Sequence, residues 1–334
     1  VKNIFATGEG WSTSGTERLS YYSYFAGQNM IYTLFNVCLT TYLLFLGIDP
    51  IKSATVMLIV KVWDAVNDTL FGVIFDSIKF KSGKKYLPWL RISTVLIPLA
   101  TILTFIIPNG TSETFKLAWF AIAYVLWDTA YTLCDVPIFG ILTSMSQSVD
   151  ERNSIQSYKS IATYAGVGVT STITTLLISE KVGMGYGLIS LIISVAAFLL
   201  MTPASFKLKE RFKGETEEGF TIKSMLTYLV KNKYLLIYYV GLFFYSALNI
   251  GNAFTLFVSY YLFHSTLFSI VVGAVGTAPQ LIAALVLPKL IRKVDKMKVN
   301  QICLLLYVIL SVITWVVGYG NIYVYIVLFT VRSV

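Results

Sequence analysis

Histidine is almost absent from this sequence, with one residue, His264, in 334, and cysteine is scarce, with three. A lone histidine argues against a multi-histidine metal centre and against a Ser-His-Asp triad. Cys38, Cys134 and Cys303 stand singly in apolar stretches without C-x-x-C spacing, so neither a disulfide framework nor a zinc site is supported. Charge is also sparse: 13% of residues are Asp, Glu, Lys or Arg, against about 25% in a soluble domain. No nucleophile–base pair or metal cluster stands out, so an enzyme and a resident cofactor or metal are not expected.

What remains is apolar. Hydrophobic residues make up 56% of the chain, and the mean hydropathy is +0.72. Stretches long enough to cross a bilayer recur along nearly the whole length: 21–46, 53–78, 86–108, 115–146, 155–179, 183–206, 234–263, 266–288, 299–318 and a further one from 321. The fold class this implies is an all-α, polytopic membrane protein whose solvent is the lipid bilayer. Residues 1–17 are polar, lack an apolar run and read as a tail.

The net charge of +9 raises the question of nucleic acid, but its placement points elsewhere. Connections after the first, third, fifth and seventh spans sum to about zero, with Asp49/Lys52, Glu113/Lys116, Glu180/Lys181 and His264. Those after the second, sixth and eighth carry Lys79, Lys81, Lys84 and Lys85, then Lys207, Lys209, Arg211 and Lys213, then Lys289, Arg292, Lys293, Lys296 and Lys298. This alternation is the positive-inside pattern, which puts the N-terminus in the cytoplasm; the expected location is the plasma membrane. The connection after the fourth span, Asp150, Glu151 and Arg152, is a mild exception. Basic charge here reports topology, and nucleic acid is not an expected partner.

The longest charged stretch, residues 207–233, follows the sixth span. Six spans, a cytoplasmic linker and then more spans predict two six-helix halves: 1–206 for the tail and first half, 207–233 for the linker, 234–334 for the start of the second half. After residue 320 the sequence has 14 residues, about 21 Å of helix, too short for a hydrocarbon core of about 30 Å. The expectation is a second half truncated in its tenth span, with two more spans beyond it.

The acids are unevenly placed. Every glutamate falls in the tail or a connection, whereas Asp64, Asp68, Asp128 and Asp135 lie well inside spans. A charge at the bilayer centre costs about 2.5–3.5 kcal/mol on insertion scales, so an acid there is a functional candidate by default. Lys61, Asp64 and Asp68 are spaced i, i+3, i+7, which confines them to an arc of about 60° on one helix face, with Asn67 beside it. Two carboxylates and an amide oxygen within two turns can ligate a cation or hold an exchangeable proton. They can also form a structural ion pair, with Lys61 neutralising Asp64 and Asp68 satisfied by a neighbouring helix.

The fourth span carries WDTAYTLCDVP, residues 127–137, with Asp128, Thr132 and Asp135 at i, i+4, i+7 and Trp127 and Tyr131 alongside. Carboxylates bind hydroxyl pairs and aromatic rings pack on the apolar face of a pyranose, so the combination suits a sugar; ordinary helix packing is the alternative for the two rings. Asp76 differs. It belongs to the pattern G-x-x-x-D-x(6)-G-K-K-Y-x-P-W, running from Gly72 through Asp76 and Gly83 to Trp89, at the inner end of the second span, where a gating or structural role fits better than transport chemistry.

WDAVND, GVIFD, SGKKYLPW and YTLCDVP together resemble the glycoside–pentoside–hexuronide:cation symporter family, the relatives of melibiose permease within the major facilitator superfamily. The resemblance runs from about Glu17 to the end. It implies a cation site at Asp64, Asn67, Asp68 and Thr132, a sugar-binding carboxylate at Asp135 and a basic sugar contact at Lys159 on the fifth span. Asn29 stands where melibiose permease has a sugar-binding acid on the first span, and Phe139 replaces a tryptophan, which points to a glycoside other than melibiose. Asp128 stands where a small uncharged residue is usual. Its depth matches that of Lys61, and the expectation is that the two pair and leave Asp64 and Asp68 free for the ion.

The implied activity is symport of a sugar or glycoside with sodium or protons, by alternating access, in a monomer. The sugar would meet Asn29, Asp128, Asp135 and Lys159, with Trp127 or Tyr131 against its face. Two rivals stand beside this reading. One is a carrier of lysolipids or other amphipathic solutes on the same fold. The other is a membrane sensor without solute flux.

Overall fold

The computed structural model describes residues 11–78, 80–178, 182–212, 227–228, 230–248 and 294–332, with short pieces at 275–276, 279–280, 282–283, 286–287 and 290. Every regular element among them is helical. The chain divides into two units: Val1–Gly214 with Ala284–Leu290, and Glu215–Ala283 with Ile291–Val334.

Among the described residues the first unit holds six helices: α1 (Gly15–Phe45), α2 (Pro50–Ser77), α3 (Leu87–Phe105), α4 (Glu113–Met145), α5 (Val149–Ile178) and α6 (Tyr186–Lys207). The shortest, α3, has 19 residues, about 28 Å. Their starts are written in the sequence. Ser14 and Glu17 form a capping box on α1. Asp49 accepts from the amides of Ile51 and Lys52 ahead of Pro50 on α2, and Ser112 caps α4 through the Phe115 amide. Such caps satisfy amides that a helix start leaves open. Both α1 and α5 begin six residues before the apolar runs at 21 and 155, because polar first turns are helical too.

Four helices of this unit, α3 to α6, are long and apolar enough to cross a membrane, as is the stretch Met297–Gly320 in the second unit. Exposed side chains include Leu58, Ile59 and Val62 on α2, Ile122 and Leu126 on α4 and Leu199 on α6, as a lipid-facing surface requires. The interior holds hydroxyls among its apolar side chains. Thr94, Thr101 and Thr104 of α3 are buried and donate to carbonyls one turn back, Leu90, Ile97 and Ala100, at 2.7, 2.7 and 2.9 Å. Each hydroxyl is thereby satisfied without water.

Within this unit α1 packs on α5 and α6, α3 on α4 and α6, and α2 on α4. Small residues set the rotation of α1. A Cβ at Gly27 would lie 2.7 Å from the Ala197 carbonyl oxygen of α6, and one at Gly166 of α5 would lie 2.5 Å from that of Ala26. Both positions accept only glycine, and backbones approach closely there.

One end of the bundle is tied by carboxylates. After α6, Glu210 accepts from the amides of Lys85, Tyr86 and Leu87 at 2.7, 2.9 and 2.7 Å, capping α3 from a distant part of the chain. Arg211 grips Glu17 with both terminal guanidinium nitrogens, at 2.6 and 2.7 Å. Glu151, at the start of α5, takes the amides of Ser12 and Thr13 and the hydroxyls of Ser12, Thr13 and Ser146. The stretch expected as a linker from 207 therefore begins, through Arg211, as part of the first unit.

In the second unit the described helices are α7 (Lys233–Leu248), α8 (Lys296–Val317) and α9 (Ile322–Arg332), the last two joined by a 3-10 turn at Gly318–Gly320. Tyr325 is buried between them, near the rings of Tyr319 and Phe329. The end of the run expected at 234–263, most of that at 266–288, and His264 lie outside the described residues.

Candidate cation and sugar site

The polar residues of α2 and α4 meet because those helices pack on each other and each carries its stripe on the contact side. Thr132 is the link. Its hydroxyl donates to Asp68 Oδ1 at 3.0 Å, lies 3.3 Å from the Asp128 carbonyl one turn back, and accepts from Asn67 Nδ2 at 2.9 Å. Asn67 is 0% exposed, and its carbonyl oxygen Oδ1 has no hydrogen-bond partner. A buried amide oxygen without a donor costs free energy unless something electropositive meets it. Trp63 Nε1 donates to Thr129 at 3.3 Å and ties the same two helices a second time.

Lys61 faces two acids. Its Nζ is 3.0 Å from Asp64 Oδ2 and 4.0 Å from Asp128 Oδ1. The expected contact between Lys61 and Asp128 is present at the outer limit of an ion pair, but Asp64 is not left free of the lysine. Asp64 lies three residues ahead on the same face of α2, within the shortest reach of the lysine. Asp128 is 4% exposed, and its Oδ2 has no hydrogen-bond partner.

Two turns along α4, Asp135 accepts from Gln28 Nε2 of α1 at 2.7 Å. Gln28 is 1% exposed, and its own carbonyl oxygen is without a partner. Lys159 of α5 lies over the rings of Phe25 and Phe139, 4.4 and 4.7 Å from their centroids, a cation–π cradle. Among the described residues no acid lies within 4.0 Å of its amine. Asn29 turns its amide to the Phe25 carbonyl at 2.8 Å, which leaves its carbonyl oxygen as the acceptor it can offer.

The two aromatic candidates separate. Trp127 is 4% exposed, stacks on Phe35 at 3.7 Å and donates its indole N–H to Thr101 at 3.1 Å. Both its ring and its N–H are engaged in packing, which favours the ordinary-packing alternative for Trp127 over a place against a sugar. Tyr131 is half-buried, 5.1 Å from Trp127 and 5.7 Å from Tyr32, and keeps accessible surface.

The motif after α2 is described in part. Gly83 adopts φ +68° and donates its amide to the Phe80 carbonyl at 3.0 Å, a left-handed turn that favours glycine. A Cβ at Gly72 would meet nothing within 4 Å. Asp76 belongs to α2, but its side chain lies outside the described residues.

Sequence reasoning missed Gln28 and Phe25. Gln28 carries a faint signal, being one of two adjacent amides in an otherwise apolar segment, AGQNM.

An all-helical bundle with exposed apolar flanks and carboxylates inside its spans, facing amides, a hydroxyl and a lysine, is an integral membrane protein of the carrier class. The chain belongs to the MFS/sugar transport protein family, whose description matches residues 20–334. This is a transporter family and not a family of enzymes. The chain is similar to the isoprimeverose transporter of Lactiplantibacillus pentosus, 24% identical over 316 residues, covering 90% of this chain and 64% of that protein. It is also similar to the uncharacterized symporter YjmB of Bacillus subtilis, 24% identical over 326 residues, 95% of this chain and 70% of that one. The sodium-dependent lysophosphatidylcholine symporter 1 of Mus musculus is 24% identical over 139 residues, 40% of this chain and 26% of its own. The chain thus spans 64% and 70% of the first two relatives.

Proposed function

We propose that the full-length protein is a symporter that carries a sugar or glycoside together with sodium or protons, by alternating access between two helical halves. The N-terminus is cytoplasmic, the membrane is the plasma membrane and the working unit is a monomer. The observation that carries this reading is the hydroxyl of Thr132, which joins Asp68 to Asn67 while the Asn67 carbonyl oxygen stays buried and without a donor. Two carboxylates, an amide oxygen and a hydroxyl suit a small hard cation. The neutral members favour sodium over a proton.

The sugar would bind beside it on α1, α4 and α5. Asp135, held by Gln28, accepts from sugar hydroxyls; Asn29 offers its carbonyl oxygen; Lys159 donates to ring or hydroxyl oxygens; Tyr131 packs on the apolar face. Ion and sugar then bind to one helix, α4, and binding of either favours the other by the same factor. Symport follows when the doubly loaded carrier is the form that reorients.

The test is uptake by the full-length protein in vesicles, across glycosides, pentosides and hexuronides, with and without a sodium or proton gradient. Uptake indifferent to both ions removes the symport reading. A second reading, lysolipid transport, draws on the similarity to the lysophosphatidylcholine symporter, and lysophosphatidylcholine belongs in the same panel. Competition by the lipid and none by glycosides would favour it.

A further inference from the structure

Lys61 occupies the place an incoming cation needs. Its ammonium is 3.0 Å from Asp64 Oδ2, and an ammonium and a sodium ion compete for the same carboxylate oxygen. A sodium ion that takes Asp64 Oδ2 displaces Lys61 from it. The Lys61 side chain is 58% exposed, and a lysine that leaves one carboxylate inside a membrane span is stabilised by a second. Asp128 supplies that second carboxylate. Its carboxylate faces Lys61 at 4.0 Å, is 4% exposed and has an oxygen without a hydrogen bond. Lys61 is the one lysine or arginine within that distance of Asp128 among the described residues. Closing the gap to a normal charge-assisted bond takes a movement of about 1 Å, well within the reach of a four-carbon side chain.

We propose that Lys61 is an internal counter-ion that passes from Asp64 to Asp128 when sodium enters, so that Asp128 sets sodium affinity without touching the ion. The inference rests on the cation site proposed above and assigns a role to a carboxylate outside it. It also gives the ion a route to the sugar. Asp128 and Asp135 lie on one face of α4, two turns apart, so a lysine that moves onto Asp128 pulls on the helix that holds the sugar-binding carboxylate. Asp128 is a positioning residue on this account, and Lys61 is a resident competitor.

The experiment is equilibrium binding of radioactive sodium to the purified full-length protein and three variants. In Asp128→Asn the lysine loses its second carboxylate and stays on Asp64; sodium affinity falls on the order of tenfold, the size of a typical coupling between sites. Lys61→Ala removes the competitor, and sodium affinity rises. The double variant, Lys61→Ala with Asp128→Asn, binds sodium at least as tightly as wild type. A merely structural Asp128 would leave the double variant as weak as Asp128→Asn, and that result overturns the exchange. So does a Lys61→Ala protein that binds sodium more weakly than wild type, a result that can be read even if Asp128→Asn does not fold. Equal affinity in wild type and Asp128→Asn also overturns it while leaving the cation site standing. Sodium that neither binds wild type nor stimulates its uptake removes the cation site itself, and the exchange with it.

Discussion

Asn67 of α2 donates its side-chain amide to the Thr132 hydroxyl of α4 at 2.9 Å, and that hydroxyl donates a hydrogen bond to Asp68 at 3.0 Å. The relay fixes the orientation of all three groups and aims the Asn67 carbonyl oxygen at no partner in the protein. Removing the hydroxyl while keeping the side-chain volume tests its part. Thr132→Val is expected to lower sodium affinity roughly tenfold, the loss of one hydrogen bond to a charged group, whereas Thr132→Ser retains it. The measurement is the sodium concentration for half-maximal uptake; a valine variant indistinguishable from wild type excludes Thr132 from the site.

Gln28 holds Asp135 at 2.7 Å from a position that is itself buried. Without that donor the carboxylate loses a charge-assisted bond worth about 1.5–3 kcal/mol. Gln28→Leu is therefore expected to raise the KM for sugar by roughly tenfold or more while leaving the sodium dependence near wild type. A variant that shifts both equally would place Gln28 in general packing and not at the sugar.

How much of this was legible in the sequence depends on range. Lys61, Asp64 and Asp68 share a stripe because helix periodicity alone dictates it, and the same holds for Asp128, Thr132 and Asp135. Which stripe faces which follows from contacts between helices. Gln28 meets Asp135 only because Gly27 and Gly166 let α1 press against α6 and α5 in one rotation. Trp127 looked as suitable for a sugar as Tyr131, since nothing local to residue 127 reveals Phe35 stacked on it or Thr101 taking its N–H. Glu210 lies more than a hundred residues from the α3 amides it caps, and a charged stretch after a span reads equally well as solvent-facing linker.

Trp127 and Tyr131 give a paired prediction. Trp127→Ala removes a buried ring and is expected to cost about 3–5 kcal/mol of stability, visible as a large fall in Tm in detergent. Trp127→Phe keeps most of the packing and is expected to leave the KM for sugar unchanged. Tyr131→Ala should do the reverse, raising KM with a smaller fall in Tm. A Trp127→Phe variant with wild-type Tm and a raised KM would return the tryptophan to the sugar site.

Glu17 is 2% exposed and is held by Arg211 through two parallel hydrogen bonds of 2.6 and 2.7 Å. It also accepts from the Lys209 amide at 3.1 Å, so the start of α1 is pinned to the strand of chain leaving α6. Glu17 is buried but the Arg211 side chain is 27% exposed, so removing the arginine costs less than the ~3–5 kcal/mol of a fully buried pair and more than an exposed one. Arg211→Ala is expected to lower Tm and yield accordingly. Arg211→Lys should recover only part of the loss, because an ammonium cannot meet both carboxylate oxygens as the planar guanidinium does. The double variant Glu17→Gln with Arg211→Gln removes the stranded charge and is expected to melt above Arg211→Ala. Should Arg211→Ala melt with wild type, the clasp contributes nothing to stability and the end of the bundle is held by Glu210 and Glu151 alone.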